Sequence, residues 1–213
     1  MYYERDGCEL VFFHIPRTGG RWVQWFLREN HFKFRLFDNI PDVDLGFQLL
    51  HLPKFIVEQH YPQYDINNQF TIVRDPIDRF LSGIGYHEVN NLFELSQMSD
   101  QEFKLHLDKV ISSDQKKTQI LLPQHLYVDD KVRTHKYENG LGEPLKQFLQ
   151  DTFNIPSCRN MRELNDRPGF NSNRDPLSLS KHRHLMPAKL LDNIISYYER
   201  DYEIFGYEPT RYP

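Results

Sequence analysis

Cysteine is scarce in this chain: Cys8 and Cys158 are the only two among 213 residues. Two thiols make no disulfide framework, and neither stands in a metal-ligand spacing. They read as reduced, structural cysteines of the kind a cytosolic protein carries. A surplus of positive charge is also missing. The net charge is -4, whereas a general nucleic-acid binder usually carries a basic excess. A local basic pocket for one small polyanion stays compatible with that balance, because net charge is silent about distribution. No apolar run approaches the ~20 residues that cross a bilayer, and Met1 to Glu9 holds no apolar leader segment. The expectation is a soluble, cytoplasmic protein with no membrane span and no nucleic-acid partner. Internal repeats, low-complexity tracts and linkers are lacking too, so one domain over residues 1–213 is expected.

What is present is an alternation of strand and helix patterns. Glu9-Leu10-Val11-Phe12-Phe13-His14 is a short apolar run of strand formers, stopped by Pro16 and Gly19-Gly20. Trp22, Val23, Phe26 and Leu27 follow at helical spacing, up to about Asn30. Strand, glycine loop, helix is the opening unit of an α/β fold. Further strands are expected over Phe32–Phe37, Gln69–Arg74 and Lys131–Tyr137. Asp75 suits the cap of the next helix and Pro76 its first position. That helix should bury Ile77, Phe80, Leu81 and Ile84, with Arg79, Ser82, Gly83 and Tyr86 on a different face. Ser99-Asp100-Gln101-Glu102 has the form of a capping box before a helix carrying Phe103, Leu107, Val110 and Ile111. Leu141 to Phe153 and Leu190 to Tyr198 mark two more helices. Pro156 to Ser180 is polar and irregular, and reads as a long surface loop.

A glycine turn between a buried strand and a helix is a natural anion site, because backbone N–H groups and the helix N-terminus both favour negative charge. Arg17, Thr18 and Arg21 add charge and donors to it. A tight turn with no ligand is the bland alternative. A nucleoside triphosphatase needs G-x-x-x-x-G-K-S/T, where the lysine meets phosphate and the hydroxyl holds Mg²⁺. Here Gly20 is followed by Arg21 and Trp22, and no G-x-G-x-x-G is present either. These absences favour an anion chemistry that needs no metal.

Phe12 to Gly20, reading Phe-Phe-His-Ile-Pro-Arg-Thr-Gly-Gly, resembles the 5′-phosphosulfate loop of sulfotransferases that use PAPS (3′-phosphoadenosine 5′-phosphosulfate). It is most similar to the carbohydrate (Golgi-type) branch, whose usual form is H-I-P-K-T-G-G-T. Thr71 to Gly83 resembles the 3′-phosphate segment, R-D-P-x-x-R-x-x-S, and Tyr197 to Tyr207 resembles the closing helix. The resemblance spans residues 9 to 207 in the family's order. It implies a three-layer α/β/α fold with a central parallel sheet, similar to the P-loop kinases. It also implies PAPS as co-substrate, adenosine 3′,5′-bisphosphate as product, and a hydroxyl acceptor, carbohydrate or small metabolite. Thr18, Gly19, Gly20, Arg21 and Trp22 would cradle the phosphosulfate, while Arg74 and Ser82 would hold the 3′-phosphate. Arg74 could instead pair with Asp75 or Asp78. Arg17 stands where the family has lysine and would stabilise the leaving phosphate; its planar fork is not equivalent to an ammonium. Arg167 and Gly169, in the late loop, would contact the donor as the segment closes over it.

An acceptor hydroxyl needs a base, and histidine suits the task because it titrates near neutrality. His51, in Leu49-Leu50-His51-Leu52-Pro53, stands between the two donor segments, where the family has a similar base segment. A semi-buried structural histidine is the alternative, and His60 and Glu58 are the substitutes. His182 and His184 form an H-x-H without further ligands for a metal. Two rival functions stay open: a PAPS-binding protein without transfer activity, suggested by Arg17, Arg21 and Trp22, and a P-loop nucleotide kinase.

Overall fold

Strand formers flank the first turn on both sides, Tyr2-Tyr3 before Asp6-Gly7 and Leu10 to Phe13 after it, and the chain uses them as a hairpin. The computed structural model describes residues 1–35, 47–64, 67–84, 92–114, 118–158 and 183–212. Strand β1 (Tyr2–Arg5) is joined to β2 (Cys8–Phe13) by Asp6 and Gly7, whose φ values are 51° and 78°. Two left-handed residues match the twist of a hairpin, which is why Asp-Gly is favoured there. No sequence-based expectation includes β1, although Asp6-Gly7 is its signal.

Three more strands, β3 (Lys33–Arg35), β4 (Gln69–Val73) and β5 (Arg133–Lys136), complete a five-stranded sheet. Its order is β3-β1-β2-β4-β5. β2, β4 and β5 run parallel, with Phe12 beside Phe70 and Ile72 beside His135. β1 is antiparallel to both of its neighbours. The fold is mixed α/β with a parallel core to its sheet, as expected; the N-terminal hairpin is what makes the whole sheet mixed.

The helices among the described residues are α1 (Gly20–Glu29), α2 (Lys54–His60), α3 (Pro76–Ile84) and α4 (Leu92–Gln97), followed by α5 (Asp100–Ser113), α6 (Glu143–Phe153), α7 (Ala188–Tyr197) and α8 (Glu199–Phe205). The chain forms two compact units, one of Met1–Val73 with Tyr127–Pro176, the other of Arg74–Leu126 with Leu177–Pro213. The first contains the sheet, and its core joins Phe12 and Phe70 to Val23, Phe26, Leu145 and Leu149. The second packs α3 and α5 with α7, through Phe80, Phe103, Leu107, Leu191 and Ile194. No helix among the described residues is long and apolar enough to cross a membrane.

Local signals are met at several ends. Ser99 and Glu102 form the full capping box, each side chain bonded to the other's backbone. Asp75 Oδ1 accepts the Asp78 N–H at 3.0 Å, capping α3. The expected two-faced α3 is a correction, however. Arg79, Ser82 and Gly83 are buried along with the apolar residues. The reason is the turn at Gln119–Leu121, which covers that side: Arg79 donates to the Ile120 and Leu122 carbonyls. A β-carbon on Gly83 would stand 3.2 Å from Ile120 Cγ1. Tyr86 and most of the late loop, from residue 159 to 182, lie outside the described residues.

Candidate active site

β2 is an interior strand, bonded to β1 on one side and β4 on the other, and its carboxyl end leads into the loop His14–Gly19. Thr18 is fully buried and its hydroxyl donates to the Ile15 carbonyl at 2.8 Å, closing the turn. Arg17 and Gly19 both take left-handed backbone, with φ of 69° and 88°. Turns of this kind bring successive N–H groups to one side, where an anion can meet them. α1 starts with no side-chain cap and no acidic residue in its first turn. The Trp22 and Val23 N–H groups both turn to the Gly19 carbonyl, at 2.9 and 3.4 Å, and the helix dipole adds positive charge at this end. Arg21 is exposed and Arg17 half-buried at the same place.

The loop is held tightly from both sides. A β-carbon on Gly19 would stand 2.5 Å from Leu141 Cδ1 and 3.1 Å from the Tyr137 ring. One on Gly20 would collide with the His14 imidazole. Trp22, expected in the donor cradle, stacks its indole on Phe26 with ring centroids 5.4 Å apart and packs against the core of its unit.

His51 closes a short 3₁₀ turn, Leu49–His51, and its Nδ1 lies 2.9 Å from the His14 carbonyl oxygen. A carbonyl can only accept, so Nδ1 carries the proton and Nε2 keeps the basic lone pair. The His14 and His51 rings are 4.3 Å apart. Burial pushes the pKa of both below the ordinary imidazole value, and for His14 the neighbouring His51 and Arg21 add to this. His51 is thus a neutral imidazole near pH 7, in the form that takes up a proton. The substitutes are placed less favourably. Glu58 is paired with Lys54 at 3.3 Å, and that lysine also holds Asp129 at 2.6 Å. His60 ends α2 with its ring beside Tyr61.

The second predicted segment follows β4. Arg74 is half-buried, and Ser82 is buried within α3. The acids beside them are held by Arg183, whose Nη1 lies 2.9 Å from Asp75 Oδ1 and 3.3 Å from Asp78 Oδ1. Arg183 also donates to the Thr210 and Arg211 carbonyls, which fastens the C-terminal tail. Arg167 and Gly169 lie outside the described residues, as does His182; His184 is exposed.

With this geometry in place, comparison with known families is decisive for the class. The model of the sulfotransferase family matches residues 5–208, nearly the whole chain, and the chain belongs to that family. No curated protein and no solved structure matches it. His14 is the residue whose part in the site the sequence least disclosed: it reads there as the end of a strand, while the structure makes its ring a wall of the loop and its carbonyl the support of His51.

Proposed function

We propose that the chain moves the sulfuryl group of PAPS to a hydroxyl acceptor, a carbohydrate or small metabolite. The observation that carries this reading is the bond from His51 Nδ1 to the carbonyl of His14, the first residue of the glycine loop. It supports reading His51 as a neutral base beside an anion cradle. The loop suits a phosphosulfate: two crowded glycines, left-handed turns, an uncapped helix start and two arginines all favour a compact anion.

PAPS supplies the sulfuryl group together with a phosphate leaving group, so that adenosine 3′,5′-bisphosphate is the product. Backbone N–H groups of Thr18 to Arg21 bind the phosphosulfate end. Arg17 offsets the negative charge that develops there, with a fork in place of the family's usual ammonium. Arg74 and Ser82 take the 3′-phosphate, through one charge and one hydroxyl. His51 Nε2 accepts the proton of the acceptor hydroxyl. A cytoplasmic setting suits the two thiols, neither of which is in a disulfide.

Calorimetric titration with adenosine 3′,5′-bisphosphate tests the reading. The unmutated protein should bind, and Arg74→Ala should bind much more weakly. No binding by the unmutated protein would sink it. Full binding with no transfer to any hydroxyl acceptor would instead favour a donor-binding protein without transfer activity.

A further inference from the structure

Gln124 is fully buried, and its side chain is spent on the backbone of a single residue. Its Oε1 accepts the Arg74 N–H at 2.9 Å, and its Nε2 donates to the Arg74 carbonyl at 2.8 Å. That is the exchange of two bonds a neighbouring strand would offer, supplied by one side chain at the point where β4 has ended. Gln124 is in turn fixed by Asp201 of α8, which is fully buried. Asp201 Oδ2 accepts the Gln124 N–H at 2.8 Å, and Oδ1 accepts the His125 N–H at 2.9 Å. The same Oδ1 lies 2.7 Å from His125 Nδ1. A carboxylate thus spends both oxygens on one turn, and the turn spends its amide on Arg74.

We propose that Gln124, locked by Asp201, is a positioning residue for Arg74, setting the direction in which the arginine presents its guanidinium to the 3′-phosphate; this rests on the reading of Arg74 given above. Fixing φ and ψ at Arg74 fixes its Cα–Cβ direction. Less freedom is then lost when the side chain engages an anion, which is how a supporting shell raises affinity. Neither Gln124 nor Asp201 touches the ligand in this scheme. Their effect is confined to the part of binding that the 3′-phosphate supplies.

The test is calorimetric titration with two ligands, adenosine 3′,5′-bisphosphate and adenosine 5′-phosphate, which lacks the 3′-phosphate. The ratio of their affinities reads the 3′-phosphate contacts, those proposed for Arg74 and Ser82, and Arg74→Ala isolates the share of the arginine. Arg74→Ala should collapse this ratio. Gln124→Met should lower it about tenfold, as a small misplacement of a binding group does, with affinity for adenosine 5′-phosphate nearly unchanged. In the Arg74→Ala background Gln124→Met should lower it no further. Gln124→Glu has the native shape, keeps the acceptor for the Arg74 N–H and loses the donor to its carbonyl; it should act in the same direction if Gln124→Met does not fold. A ratio kept in both Gln124 variants, or equal weakening of both ligands, overturns the proposal while leaving the role of Arg74 intact. An unchanged ratio in Arg74→Ala overturns that role and the proposal with it.

Discussion

The imidazole of His14 fills the space that a β-carbon on Gly20 would need; that carbon would stand 2.6 Å from Cγ of the ring and closer still to Cδ2 and Nε2. Gly20 is therefore required by close approach rather than by backbone conformation, unlike Gly19, whose φ is 88°. Gly20→Ala should force the ring away and destabilise the fold by about 1–3 kcal/mol, the usual cost of overpacking. Urea unfolding checks this. Adding His14→Ala should recover part of the loss, and strictly additive effects would rule out the steric coupling.

His51 should be needed for transfer but not for donor binding. His51→Gln is expected to lower the transfer rate about a hundredfold, with affinity for adenosine 3′,5′-bisphosphate unchanged. The base works when neutral, so activity should fall as pH drops through its pKa. Burial holds that value below the ordinary imidazole range, which places the acid limb of kcat/KM under about pH 6.5. A limb above that, or one that persists in His51→Gln, would be inconsistent with the assignment.

Stability should respond to acid in the same window. The folded protein resists protonating His14, chiefly because of burial, whereas the unfolded chain takes up that proton near pH 6.5. The unfolded state then binds more protons below that pH. Stability is full above about pH 6.5 and falls on acidification, by at most about 1.4 kcal/mol per pH unit for each such group. Urea midpoints at about pH 7.5 and about pH 5 measure the difference, and His14→Phe should reduce it.

Arg79 belongs to the R-D-P-x-x-R pattern, yet its guanidinium bonds the carbonyls of Ile120 and Leu122 within the protein. It is fully buried. Arg79→Met should destabilise the fold by about 2–4 kcal/mol, because one buried and one part-buried carbonyl lose a charged donor. Arg79→Lys should not restore it, since both carbonyls are met by the terminal Nη2, and the ammonium on its shorter stem does not reach that position. Wild-type stability in either variant, by thermal or chemical unfolding, would contradict this role.

Much of the fold was legible because its signals are local. The apolar run Leu10 to Phe13, the capping box at Ser99 and Glu102, and the Asp75-Pro76 helix start each depend on a few neighbouring residues, and each formed. The loop His14–Gly20 was equally plain. What escaped was set by partners distant in the chain. Periodicity in α3 distinguishes an apolar face but says nothing of the turn 119–121 that buries the opposite one. Gln124, in Leu122-Pro123-Gln124, looks like any loop glutamine until the fold brings it to Arg74, 50 residues away. His51 could be nominated from chain order alone, but its tautomer depends on a carbonyl 37 residues upstream.

That last bond ties two tasks to one peptide group. The carbonyl bonded by His51 belongs to the residue that opens the glycine loop, so on the proposed roles the donor loop cannot be reshaped while the proposed base is left where it was. On those roles, a protein engineer seeking a new donor by editing positions 15 to 20 would be retuning proton transfer at the same time. Selection would meet the same constraint. Changes in acceptor preference should therefore be easiest to make elsewhere, in side chains that neither carry the loop nor lean on its first carbonyl.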